Sequence, residues 1–317
     1  MTAAFTFPGQ GSQAVGMGKA LADAFPVAKA VFDEVDAALG DRLSAIIWEG
    51  PAETLQLTEN AQPALMAVSI ATLRVLETEA GFSVARDAAY VAGHSLGEYS
   101  ALAAAGSLTL ADTARLLRTR GLAMQKAVPV GAGAMAALLG MDYEAAVAVA
   151  SEAAQGDICQ AANDNGGGQV VVSGDKAAVD RAVEIAKTKG AKRAMLLPVS
   201  APFHCKLMQP AADVMAKALA EVTIKAPAVG LVSNVLASAI TDPDEIRRRL
   251  IEQVTGTVRW RESITYMAQN GVTRFFEIGA GKVLSGLVKR IADGAVGIAV
   301  GGPNDISPAK EALAAAR

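Results

Sequence analysis

The chain has 317 residues, of which 52% are hydrophobic, and a formal net charge of -3. That apolar content excludes a disordered chain. The near-neutral charge excludes a broad basic field for nucleic acid, and 4% aromatic residues argue against base stacking as its business.

Taken in order, the opening Met1-Thr2-Ala3-Ala4-Phe5-Thr6-Phe7-Pro8 has neither a positive leader nor a long apolar run, so it does not read as a signal peptide. Residues 3–7 predict a first strand, then a Pro8-Gly9-Gln10-Gly11-Ser12-Gln13 loop and a helix from near Met17. Gly9 to Ala14 fits the G-x-G-x-x-G/A dinucleotide fingerprint, a weak pattern alone, and Pro8 with two glutamines suits a rigid loop equally well. Residues 26–39 place Val27, Val31, Val35 and Leu39 on one face and predict a helix opened by proline. Residues 63–79 predict a second helix.

Ala88-Ala89-Tyr90-Val91-Ala92 predicts a short buried strand, and Glu98 to Ala105 a helix rich in good helix formers. Between them stands Gly93-His94-Ser95-Leu96-Gly97, a G-x-S-x-G motif in the strand–turn–helix context of a nucleophile elbow. Such a turn lifts the Ser95 hydroxyl above the sheet and aims a helix N-terminus at it, where unpaired N–H groups stabilise an oxyanion. The apolar window of residues 88–111 is interrupted by His94, Ser95, Glu98 and glycines, so it reads as the elbow and its helix, not a membrane span. A serine needs a base to become a nucleophile. The chain has two histidines, His94 and His204. His94 adjoins the serine on a sharp turn and should point elsewhere, so a histidine base must be His204.

Residues 112–127 predict a third helix carrying Arg115, Arg118 and Arg120. After a linker at residues 128–133 come a strand (134–139), a helix (143–154), two strands (158–162 and 169–173) around the Asn163-Asp164-Asn165-Gly166-Gly167-Gly168 turn, a helix (176–189) and a strand (193–197). That is the β-α-β-β-α-β order of a ferredoxin-like unit. The expected organisation is a small domain at 129–197 inserted into a large one made of 1–128 and 198–317, roofing a cleft over Ser95. The large domain continues with a helix (206–222), a strand (229–232), helices (245–253 and 260–269), a strand (272–278) and a helix through Val283, Leu287 and Ile291. The fold class is α/β with a mostly parallel sheet. Cys159 and Cys205 are too few for a disulfide scaffold and suggest a reducing compartment. A soluble, cytoplasmic protein is expected.

Phe7-Pro8-Gly9-Gln10-Gly11-Ser12-Gln13, Gly93-His94-Ser95-Leu96-Gly97-Glu98, Arg120-Gly121, Phe203-His204, Ser233-Asn234, Gln253 with Val258-Arg259-Trp260, and Glu277-Ile278-Gly279 occur in that order. With this set the chain resembles the malonyl-CoA:acyl carrier protein transacylases of bacterial fatty acid synthesis over nearly its whole length. The resemblance implies a hydrolase-like α/β domain with an inserted ferredoxin-like domain. It implies that Ser95 attacks the malonyl thioester, that His204 is its base, and that the backbone N–H groups of Gln10 and Leu96 form the oxyanion hole. It further implies that Arg120 pairs with the malonyl carboxylate, that Gln253 accepts from the other His204 nitrogen, and that Phe203 goes with malonyl selectivity.

Guanidinium offers parallel donors that match a carboxylate, but the residues alone do not choose among Arg115, Arg118 and Arg120. The implied partners are malonyl-CoA and acyl carrier protein, acting on a monomer, with no metal and no cofactor beyond the phosphopantetheine arms of the substrates. Lys187, Lys189, Lys192 and Arg193, or Arg247, Arg248 and Arg249, are candidate docking charges for an acidic carrier, though solvated surface charge accounts for either cluster. Three readings compete: a serine thioesterase or esterase on the same elbow, an acyltransferase with another acyl-CoA donor, and a dinucleotide-binding module on the Gly9 loop.

Overall fold

A computed structural model of the chain describes residues 2–315. Its strands are β1 (Thr2–Phe7), β2 (Ala88–Gly93), β3 (Gly133–Leu139), β4 (Cys159–Asp164), β5 (Gln169–Asp175), β6 (Arg193–Leu196), β7 (Gly230–Val232), β8 (Ala239–Ile240), β9 (Val272–Ile278) and β10 (Val296–Val300). They build two sheets. The larger has the order β10-β9-β1-β2-β7-β8 and is parallel except for the β7–β8 pair. The smaller has the order β4-β5-β3-β6 and is antiparallel throughout. Helices Tyr143–Ala154 and Lys176–Thr188 pack against each other and cover it, as the β-α-β-β-α-β order predicts.

Both faces of the large sheet are covered, so its central strands are apolar rather than alternating. On one face Phe5, Phe82 and Phe276 form a ring cluster with centroids 5.4 to 5.8 Å apart. On the other lie Trp260, Ile264, Phe275 and Leu287. The small sheet has its own core of Val149, Val172, Val179 and the alanines between them.

Several expected elements shift. The helix expected at residues 63–79 runs Thr58–Ala80, with Pro63 inside it. Pro63 lies past the first turn, so it removes the N–H that would donate to the Glu59 carbonyl, yet the helix runs on through it. The early start has a consequence, because it puts Gln62 on a rigid element. The helix expected at 206–222 divides into a short 3-10 turn, Lys206–Met208, and an α-helix, Gln209–Ala220. The first helix starts at Lys19, two residues after the expected point. Strand β10 and the helix Ile306–Ala314 are additional; β10 contains Gly297 and shows no clean alternation, which leaves little period-2 signal.

The site sits at the carboxyl ends of the parallel strands, where open α/β sheets hold their ligands. β1 runs into the Gln10 loop, β2 into Ser95, and β7 into Ser233-Asn234. The small sheet is tied on beside them. Asp164 N–H donates to the Val258 carbonyl at 2.9 Å, and Val258 N–H donates to the Ala162 carbonyl at 2.9 Å.

Candidate active site

Ser95 has φ 51°, in the left-handed region that a non-glycine residue occupies only under constraint. The constraint comes from crowding. A Cβ on Gly93 would meet the Gly97 carbonyl at 1.9 Å, and a Cβ on Gly97 would meet the Phe7 carbonyl oxygen at 2.3 Å. The turn is thus wedged between β1 and its own helix, Gly97–Ala104. Gly97→Ala is expected to lower the melting temperature by several degrees and to displace Ser95, since the obstructing atoms are backbone of a central strand. Thermal melts combined with Ser95 acylation rates check this.

Asn234 locks the turn from β7. Its Nδ2 donates to the Gly93 carbonyl at 2.7 Å, and its Oδ1 accepts from Ser95 N–H at 2.8 Å. From above, Ser95 Oγ lies 2.7 Å from His204 Nε2. His204 Nδ1 lies 2.9 Å from the main-chain carbonyl of Gln253. A carbonyl only accepts, so Nδ1 carries the proton and Nε2 is left to accept from Ser95. The acceptor is therefore Gln253's main chain, whereas its side chain is engaged elsewhere. Burial, and then the charge of Arg120, push the His204 pKa down to about 3. The imidazole is neutral at ordinary pH and needs no deprotonation to act. Accordingly kcat/KM for acylation should show no histidine limb near about pH 6.5; a pH–rate profile checks this, and a titration there would contradict it.

Arg120 separates from its neighbours. Arg115 pairs with Asp112 on the surface, and the partly buried Arg118 with Asp41. Arg120 is 1% exposed and its Nη2 lies 3.2 Å from Ser95 Oγ. The same Nη2 donates to Gln253 Oε1 at 2.8 Å, and Nη1 donates to Gln62 Oε1 at 2.7 Å. Every one of these oxygens is neutral, and among the described residues no ion pair includes Arg120. Helix Leu110–Lys126 comes this close because Gly121 lies on the first turn of helix Thr58–Ala80, where a Cβ would meet Glu59 Cα at 2.4 Å.

These groups face a cavity of about 660 Å³ lined also by Gln10, Met135, Asn163, Leu197 and Phe203, so loops of the large sheet, strands β3 and β4 of the small one and the segment after β6 contribute walls. Gln10 is anchored by its side chain, whose Oε1 accepts from Thr58 Oγ1 at 2.9 Å. Leu96 is buried at the start of the elbow helix. Neither the Gln10 nor the Leu96 N–H has a main-chain acceptor among the described residues. No helix opens at Gln13-Ala14, as a dinucleotide fingerprint requires; instead the loop packs on the elbow, so closely that a Cβ added at Gly9 would meet the His94 carbonyl oxygen at 2.8 Å. Among the described residues no cluster of three or more metal-ligating side chains occurs, and no helix is long and apolar enough to cross a membrane.

The description "Acyl transferase domain" fits residues 4–300 of this sequence. The chain belongs to that family. Among relatives of this acyl transferase, the malonyl CoA-acyl carrier protein transacylase of Escherichia coli K12 is 47% identical over 97% of this chain and 98% of its own. That of Bacillus subtilis is 49% identical over 98% and 96%. The crystal structure of an acyl-carrier-protein S-malonyltransferase from Bartonella henselae superposes with a TM-score of 0.97 at 56% identity, covering 99% of this chain and all of that one. A type II PKS acyl-carrier protein in complex with its malonyl-transacylase gives 0.95 at 42% identity, covering 98% and 100%.

Within the acyl transferase, then, Ser95, His204, Arg120, Gln10 and Phe203 line one cavity, with Gln253 and Leu96 immediately behind it. Residues not assigned from sequence also act there. Gln62 had no signal beyond preceding a proline, and Asn234 stood in a shared motif without a role. His94 does turn from the serine chemistry: its Nε2 lies 2.9 Å from Asn165 Oδ1 and its ring rests on Trp260, linking elbow to hairpin. Of the candidate docking charges, Lys187 and Lys189 pair with Glu184 and Glu152, and Arg248 and Arg249 with Glu245. Arg247 donates to the Leu219 carbonyl.

Proposed function

We propose that this acyl transferase carries a malonyl group from malonyl-CoA to the phosphopantetheine thiol of an acyl carrier protein, through an ester on Ser95, and so feeds fatty acid synthesis. The observation that supports this best is a guanidinium 3.2 Å from a serine oxygen that itself lies 2.7 Å from an imidazole. Serine and histidine alone would serve any acyl group. A buried arginine without a counter-ion beside them suits one that ends in a carboxylate.

In the first half, Ser95 Oγ bonds to the thioester carbonyl carbon while His204 Nε2 takes its proton. The oxyanion is held by the N–H groups of Gln10 and Leu96. The C–S bond then breaks, and coenzyme A leaves with the proton from His204. In the second half, the carrier's thiol gives its proton to His204 and its sulfur attacks the ester; the C–O bond breaks and Ser95 recovers the proton. Donor and acceptor bear the same arm, so one cavity serves both, and no further cofactor is needed. All these groups come from one chain, so a monomer suffices. We take residues 129–197 as the inserted unit that roofs the cavity. The two buried free thiols suit a cytoplasmic setting.

The isolated malonyl-enzyme should be discharged rapidly by pantetheine thiol and slowly by water. Rapid release of free malonate without thiol would make the protein a hydrolase instead.

A further inference from the structure

Glu98 is wholly buried directly behind the nucleophile, and the chemistry above does not use it. Its Oε2 accepts from Gln253 Nε2 at 2.8 Å and from Asn234 N–H at 3.2 Å. Its Oε1 is buried without a hydrogen-bond partner among the described residues, with the Ser233 hydroxyl beside it. The Gln253 amide thus stands between an anion and a cation. Nε2 faces Glu98 and the Ser95 carbonyl, at 2.8 and 2.9 Å, and Oε1 faces Arg120 at 2.8 Å. The reverse orientation would set an NH2 against a guanidinium and an oxygen against two acceptors. Glu98 therefore fixes the amide that helps aim Arg120.

It also bears on the charge balance. A buried guanidinium needs a counter-charge, and among the described residues Arg120 has none in direct contact. The carboxyl of Glu98 is one amide away, near enough to balance the cation and far enough to leave its face open to substrate. The titratable and charged groups facing Glu98 are Arg120 on helix Leu110–Lys126 and Tyr99 on its own helix; His204 meets the same Gln253 through the main chain.

Resting on the malonyl reading, we propose that Glu98 is a positioning residue for Arg120 and its counter-ion in the empty enzyme, and that it takes up a proton when a substrate carboxylate reaches the guanidinium. Two buried anions cannot share one cation without cost. Glu98 is already disposed to this, since burial pushes its pKa up to about 7, against the pull of its hydrogen bonds and Arg120. An arriving carboxylate raises it further. Uptake is then greatest above that value, where Glu98 starts ionised, and vanishes below it, where it is already protonated. By linkage, malonyl-CoA binding weakens as pH rises past the same point.

The test is titration calorimetry of the Ser95→Ala protein with malonyl-CoA, in buffers of differing ionisation enthalpy, with coenzyme A as control. At about pH 8 the expected uptake approaches about one proton per site for malonyl-CoA and none for coenzyme A, and the difference disappears by about pH 6. In a Ser95→Ala, Glu98→Gln double variant, whose new amide can donate to Ser233, the malonyl-dependent uptake should vanish. Equal uptake from both ligands at pH 8, or unchanged uptake in the double variant, would overturn the proposal. If the double variant does not fold, the first comparison still decides. Malonylation of wild-type Ser95 is read separately by mass, so failure here leaves the function reading distinguishable.

Discussion

Replacing Ser95 by alanine is expected to lower the initial rate of malonyl transfer by about 10³-fold or more, since the covalent route is lost altogether. The fold should survive. The hydroxyl makes its contacts in the cavity, to His204 and Arg120, whereas the turn is held by main-chain bonds and by Asn234. Malonyl-CoA binding should therefore persist while turnover disappears. Transfer assays with a parallel binding titration check this, and substantial remaining turnover would show that another group carries the acyl unit.

Arg120→Ala should reduce kcat/KM for malonyl-CoA by about 2–4 kcal/mol, or roughly 30- to 1000-fold. Acetyl-CoA, which has no carboxylate to pair, should lose far less. In the intact enzyme an acetyl group gives the guanidinium no carboxylate to meet and leaves it facing neutral oxygens alone, and that missing charge-assisted contact is the physical source of the preference. Arg120→Lys should fall between, keeping the charge and losing the parallel donors. Equal losses for malonyl and acetyl donors would remove the clamp from the account, because Arg120 would then be acting only on the shape of the site.

The elbow was legible because its chemistry is local. Two glycines at fixed spacing, a strand before and a helix after, announce a turn that no Cβ could enter, and the 1.9 and 2.3 Å clearances at Gly93 and Gly97 bear that out. The scarcity of histidine made the imidazole that meets Ser95 legible as well, with His204 Nε2 2.7 Å from Ser95 Oγ. Arg120 was not separable from Arg115 and Arg118 by the residues alone; what distinguishes it is Gly121, which lets the two helices close together. Gln62 and Glu98 were illegible for a different reason. Both are ordinary helix residues whose burial depends on which elements cross above them, a tertiary fact with no periodic signature. The dual engagement of Gln253, main chain to His204 and side chain to Arg120, likewise needs three elements to meet. The fold class followed from the order of strands and helices, while β10, short and glycine-containing, lacked the pattern that would reveal it.

The most direct measurement is mass spectrometry of the intact protein, with peptide mapping, after brief exposure to malonyl-CoA. One malonyl adduct is predicted, on the peptide containing Ser95, absent in Ser95→Ala and discharged by pantetheine thiol. An adduct on any other residue, or transfer to the carrier thiol with no adduct at any time, would contradict the account.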